Sequence, residues 1–200
     1  MTTNRDRRGR YDRAASPRDR ERAARRRIVL GAVDVLADDA DPALSLAAVA
    51  ARAGVSRTTL YQHYGGASHL TRVAERMAAG QVHRALRVAA STAVTPVDRL
   101  RVLARTWLEL AERDDPCARL AIRLASCARP THVRGALVNA LTDALAAASA
   151  TGLIARSPRP ALVAALAAAW AQAAATRTRG SVEARLPPEA LAELSWRLAR

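Results

Sequence analysis

From Arg20 to Arg200 the apolar residues return every three or four positions, and no run of β-branched residues alternates long enough to build a sheet. That period is the mark of one helix face after another, and it predicts an all-α chain of about nine helices. The first is expected over 20–36, where Ile28, Val29, Ala32, Val33, Val35 and Leu36 share a face, before Asp38, Asp39, Asp41 and Pro42 stop it. Ser45 is placed to cap a second helix, LAAVAARA, which Gly54 breaks. Ser56 is placed to cap a third, RTTLYQHY, closed by Gly65 and Gly66, and Ser68 a fourth running to about Ala90. Further helices are expected over 96–113, 117–128, 130–150, 158–176 and 187–200.

The short helix, break and short helix over 45–64 stand apart. Two helices cross closely only if a small residue occupies the tight turn, and Gly54 supplies it. An apolar anchor on each helix fixes the crossing, and Val49 and Leu60 can serve. Two of the chain's three Tyr fall on the second of these helices. Side chains three or four positions apart share a face, so Leu60 and Tyr64 point together. Arg57, Thr58, Tyr61 and Gln62 form the other, hydrogen-bonding face. Arg bonds guanine through two N–H groups, Gln pairs with adenine, a Thr methyl meets a thymine methyl, and Tyr hydroxyls meet phosphates. No carboxylate occurs between Leu44 and Glu75, so nothing on this stretch repels a polyanion.

Charge agrees with that reading. The net charge is +14, carried by 32 basic residues that are all Arg, and residues 1–27 hold eleven Arg against four carboxylates. Residues 1–18 are polar and without periodicity, which predicts a disordered basic arm able to add phosphate contacts without reading sequence. Half the residues are apolar, enough for a substantial core. Cys117 and Cys127, on one helix, would lie about 15 Å apart at ~1.5 Å per residue, beyond the ~7 Å that a disulfide spans. They are expected to be thiols in a reducing compartment. No apolar stretch follows the charged amino terminus, and the apolar run 161–175 falls short of the ~20 residues of a membrane span. A cytoplasmic protein off the membrane is the expectation. The sequence carries no His/Cys spacing for a metal and no phosphate-cradling glycine loop, so neither enzyme nor cofactor is expected.

The stretch LSLAAVAARAGVSRTTLYQHYGGASHL resembles the DNA-binding signature of the TetR family of bacterial transcriptional regulators. Val49-Ala50, Ala53-Gly54-Val55-Ser56 and Leu60-Tyr61 stand where that pattern has them, and the likeness covers roughly residues 25–75. It implies an arm over 1–19, a helix-turn-helix three-helix head over 20–67, and a helical ligand-binding and dimerisation bundle over 68–200. It puts Arg57, Thr58, Tyr61 and Gln62 on bases or nearby phosphates, and Ser45, Tyr61 and His63 on phosphates. Ser56, Thr59 and His69 complete the candidates for contact with a double-stranded DNA operator. Two residues depart from the family pattern. Tyr64 replaces the usual Phe that closes the recognition helix, which keeps the ring. Ala67 replaces a usual Lys, which removes a phosphate contact and leaves His69 or the basic arm to supply one.

The resemblance further implies a homodimer through the last two helices, about 158–176 and 187–200, and a pocket for a small-molecule inducer among the middle ones. The Ala-rich composition of 158–176 suits close helix approach. Candidate pocket residues are the bulky or polar ones set in apolar helices: Met77, His83, Trp107, Cys117, Arg123, Cys127, Asn139 and Trp170. The expected function is a ligand-responsive repressor on a pseudo-palindromic operator, with a non-specific, architectural nucleic-acid binder as the alternative.

Overall fold

The computed structural model describes residues 16–38, 44–127, 129–154, 159–178 and 186–199. Among them are nine helices and no strand: α1 (Pro17–Asp38), α2 (Leu46–Ala53), α3 (Arg57–Tyr64), α4 (Ala67–Ser91), α5 (Pro96–Glu112), α6 (Pro116–Ser126), α7 (His132–Ala150), α8 (Pro160–Thr178) and α9 (Pro188–Ala199). The chain divides into two compact units, a head through Thr71 and a body from Arg72 onward. Most of the arm, residues 1–15, lies outside the described residues, as do Asp39–Pro42 and Pro158.

Local capping chemistry sets most helix ends, and it moves several from where periodicity put them. Ser16 Oγ accepts from the Asp19 N–H and donates to the Asp19 carboxylate, so α1 begins at Pro17 rather than Arg20. Residues 17–19, expected in the disordered arm, are its first turn. Ser68 does not cap α4: the Gly66 carbonyl accepts from the Leu70 N–H, the helix starts at Ala67, and Ser68 lies inside the first turn. The Asp115 carboxylate accepts from the Cys117 and Ala118 N–H groups and starts α6 at Pro116. Thr131 caps α7, two positions later than expected. Between them α6 stops at Ser126. Its free carbonyls are taken by the Thr131 hydroxyl, on Leu124, and by the Arg134 guanidinium, on Ala125 and Cys127. Cys117 and Cys127 are both free thiols.

In the head, Ile28, Ala32, Val33 and Leu36 of α1 are buried with Val49 and Ala53 of α2 and Leu60 of α3. Gly31 lets α1 and α2 approach: a Cβ there would sit 3.3 Å from the Ala53 nitrogen and the Val49 oxygen. An exposed ion pair, Arg52–Asp38 at 3.0 Å, also joins the two helices, and pairs of that kind contribute at most about 1 kcal/mol.

In the body, α5 packs on α7, α8 and α9, and α6 and α7 both pack on α8. Trp107 and Trp170 are fully buried at its centre. The Trp107 indole N–H donates to the Trp170 carbonyl (2.8 Å), the Trp170 N–H to Ser195 Oγ (2.9 Å), and the Ser195 hydroxyl to the Leu191 carbonyl (2.9 Å). This relay ties α5 to α8 and α8 to α9 and leaves neither buried indole unsatisfied. Elsewhere in the body the buried Glu75 carboxylate of α4 pairs with Arg129, between α6 and α7, and this bond raises the Arg129 pKa above its ordinary value. Arg177 reaches from α8 to Glu112 of α5.

Candidate nucleic-acid interface

The interface is built on the α2–Gly54–α3 corner. Gly54 sits at φ 62°, ψ 41°, a left-handed conformation that residues with a Cβ adopt only under strain. Its N–H and that of Val55 return to the Ala51 and Ala50 carbonyls, so α2 ends and the chain turns within two residues. Ser56 then starts α3 by accepting from the Thr59 N–H at 3.0 Å.

The inward face of α3 is Leu60, 1% exposed, and Tyr64, 9% exposed. The Tyr64 hydroxyl donates to the Arg25 carbonyl of α1 at 3.2 Å. Burial raises the Tyr64 pKa above the ordinary phenol value, with the Arg25 charge opposing, so it stays a donor at neutral pH. Here Tyr in place of Phe adds a polar tie to α1. Tyr64→Phe keeps the ring and deletes that bond, so it should lower head stability by only about 0.5–1.5 kcal/mol. Chemical denaturation checks this; a larger loss would mean the hydroxyl does more than bond one carbonyl.

The outward face carries Arg57, Thr58, Tyr61 and Gln62, all exposed, with Tyr61 at 52%. Among the described residues none of these four side chains makes a hydrogen bond or ion pair, so their donors and acceptors are unspent. The other candidates are differently employed. Ser45 Oγ accepts from the Ala48 N–H, capping α2, which leaves its O–H available to donate. Ser56 and Thr59 hydroxyls bond each other at 2.8 Å, so they brace the start of α3. His63 is half-buried near the end of α3. His69 Nδ1 lies 3.1 Å from the Tyr64 carbonyl, with its ring edge-on to the Tyr64 ring at 5.9 Å. In that role it caps the last turn of α3, and the side chain remains exposed. The sequence reading missed Gly31, whose only signal was a small residue inside an otherwise apolar helix face.

The pocket candidates separate. Trp107 and Trp170 are core residues with both indole donors spent within the body. Cys117 is buried at the start of α6, and Cys127 Sγ, just past its end, bonds the Arg123 carbonyl. Met77 is half-buried on α4, and Arg123 is half-buried on α6. His83 and Asn139 line hollows, two adjoining ones of about 300 and 530 Å³. Arg76, Arg87, Arg99 and His132 line them too and were not anticipated, although Arg76, His83 and Arg87 share one stripe of α4. Among the described residues no three His, Cys, Asp or Glu cluster as a metal site would need, and no helix is long and apolar enough to cross a membrane.

A glycine-turned helix pair whose second helix is locked by apolar anchors and presents an unspent polar face is a helix-turn-helix, the arrangement with which many proteins read DNA. Residues 28–70 match the family model described as bacterial regulatory proteins, tetR family. The chain is similar in fold to a TetR family member from Streptomyces coelicolor A3, with TM-score 0.66 and 23% identity over 88% of this chain and 98% of that one. It is similar also to the fatty acid degradation regulator FadR from Bacillus halodurans, with TM-score 0.67 and 15% identity over 88% and 97%. A third likeness is a gamma-butyrolactone receptor described as ArpA-like, with TM-score 0.62 and 18% identity over 89% and 98%. Among curated proteins none matches. The head matches the tetR family model over residues 28–70, and the fold of the chain is similar to that of TetR family transcriptional regulators.

Proposed function

We propose that this regulator is a ligand-responsive repressor that binds a pseudo-palindromic operator as a homodimer. The carrying observation is the outward face of α3, where Arg57, Thr58, Tyr61 and Gln62 stand exposed and, among the described residues, unpaired on a helix that Leu60 and Tyr64 hold in place. Arg57, Thr58 and Gln62 read bases; Tyr61 and His63 meet phosphates. Ser45 and His69 have a free proton or ring nitrogen left for a phosphate, whereas Ser56 and Thr59 serve by fixing the helix start. Exposed Arg18, Arg20, Arg22, Arg25, Arg26 and Arg27 on the first half of α1 extend the cationic surface, with the Arg-rich segment before it.

Dimerisation through α8 and α9 is supported by what those helices leave uncovered. Ala161, Ala164, Ala165 and Gln172 form one exposed stripe of α8, and Leu194 and Leu198 are exposed on one side of α9. Small and apolar side chains at such positions let two two-helix faces meet closely as a four-helix interface, and operator-binding helix-turn-helix proteins are usually twofold. One protein of similar fold is a receptor for gamma-butyrolactone, which supports a small organic effector as the input.

Footprinting on the DNA flanking its own gene should protect two half-sites on one face, about one helical turn apart. Gln62→Ala should relax base preference at one position per half-site by about 1–3 kcal/mol and leave the others unchanged. Affinity without a preferred site, falling steeply with salt, would instead fit a non-specific binder.

A further inference from the structure

The two hollows that share His83, Ala136 and Asn139 form one groove between a stripe of α4 and a stripe of α7, all within the body. The groove is hollow because its walls carry small side chains: Ala79 and Gly80 on α4, Gly135 and Ala136 on α7. Gly in a helix interior is less favourable than Ala by about 1 kcal/mol, and no close packing requires it here. A Cβ at Gly135 would meet nothing within 4 Å, and one at Gly80 only the tip of Arg84 at 3.5 Å.

The smaller hollow, about 300 Å³, has an apolar floor of Leu86, Ala90, Ala136 and Ala140. At roughly 30 Å³ per water-sized group that is room for about ten non-hydrogen atoms. Arg87 and Arg99 line it from α4 and α5, and Arg76 and His132 line the larger hollow beside it. Asp143 is the one carboxylate in either wall. Among the described residues none of these Arg side chains forms an ion pair or hydrogen bond. Unneutralised guanidinium groups around an apolar, concave floor recognise an anion attached to a small apolar body. The planar forks match a carboxylate in particular.

We propose that this α4–α7 groove is the effector site and that its ligand is a small organic monocarboxylate. The apolar body lies on Leu86, Ala136 and Ala140, and the carboxylate meets Arg87 and Arg99. The assignment deepens the ligand-responsive reading and rests on it for its regulatory meaning, though not for binding itself.

The test is isothermal titration of the full chain with the straight-chain carboxylates from butyrate to decanoate and with benzoate. The matched alcohols and inorganic phosphate serve as comparisons. At least one carboxylate should bind saturably with a Kd below about 1 mM, at least tenfold tighter than its alcohol, and phosphate alone should not. Arg87→Gln and Arg99→Gln should each weaken it about tenfold or more, the loss expected of one charged hydrogen bond. Asp143→Asn should act in the opposite direction and tighten it severalfold by removing a like charge. Ala136→Leu fills the shared wall and should abolish binding, with the melting curve confirming the fold. No saturable carboxylate, alcohols or phosphate binding as well, or an Asp143→Asn effect of the wrong sign with both Arg variants silent would each overturn the assignment. Operator release, read separately by gel shift, distinguishes the two claims: carboxylate binding that depends on Arg99 but never releases operator upholds the site and sinks the ligand-responsive reading.

Discussion

Trp170→Ala should lower the stability of the body by about 3–5 kcal/mol, or roughly 6–20 °C in Tm for a chain of this length. The side chain is fully buried on α8 and stands between two partners: its carbonyl receives the Trp107 N–H, and its indole N–H donates to Ser195 Oγ. Truncation removes the ring, opens a cavity between α5, α8 and α9, and leaves the Ser195 hydroxyl without its donor. Trp170→Phe is the control. It keeps most of the volume and loses the hydrogen bond, so it should forfeit less than half as much. Thermal and urea denaturation followed by circular dichroism measure both. If the two variants melted together, the relay rather than the packing would carry the energy. Since this relay ties α8 to α9, Trp170→Ala should also weaken a dimer built on α8 and α9, visible as protomer in sedimentation.

Leu60→Ala should cost about 2–5 kcal/mol in the head, and operator binding should disappear with it. Domains command only about 0.05–0.15 kcal/mol per residue of net stability, so in a unit that ends at Thr71 one such cavity consumes most of what there is. Leu60 is the inward anchor of the helix whose outward face carries Arg57, Thr58, Tyr61 and Gln62, and without it that face has no fixed orientation. The body, with its own core, should still melt as the unaltered protein does. Gel shift and circular dichroism together make the test: wild-type operator affinity for Leu60→Ala would refute the claim that α3 is held by its apolar side.

How well each feature could be read beforehand follows from how local its cause is. The ends of α2 and α3 were legible because Ser45, Ser56, Gly54 and Gly65 act within four residues of themselves. The split of Tyr61 from Tyr64 was legible because 3.6 residues per turn fixes which side chains share a face. Ser68 was misplaced as a cap because two glycines precede α4, and the Gly66 carbonyl already served the first turn. The early start of α1 was missed because the Ser16–Asp19 bond pair lies in a stretch whose composition reads as a tail.

The pocket candidates separated for a different reason. A Trp, a Cys or a polar residue on an apolar helix looks the same in sequence whether it fills the core or lines a hollow. Trp107 and Trp170 meet through a hydrogen bond across 63 residues, and His83 and Asn139, 56 apart in sequence, line one hollow. Arg87 and Arg99 line the same hollow, and among the described residues neither side chain is paired.

By itself, then, the sequence determined an all-α chain and a glycine-turned helix pair with one dry and one wet face. Helix period, caps and turns are short-range physics, written in neighbouring residues. Only the tertiary structure decided that the Tyr64 hydroxyl would tie α3 to α1, that Gly31 would admit α2, and that two buried indoles would chain α5 to α8 and α9. Those contacts depend on which helix faces meet, and close packing selects among partners that no local pattern distinguishes.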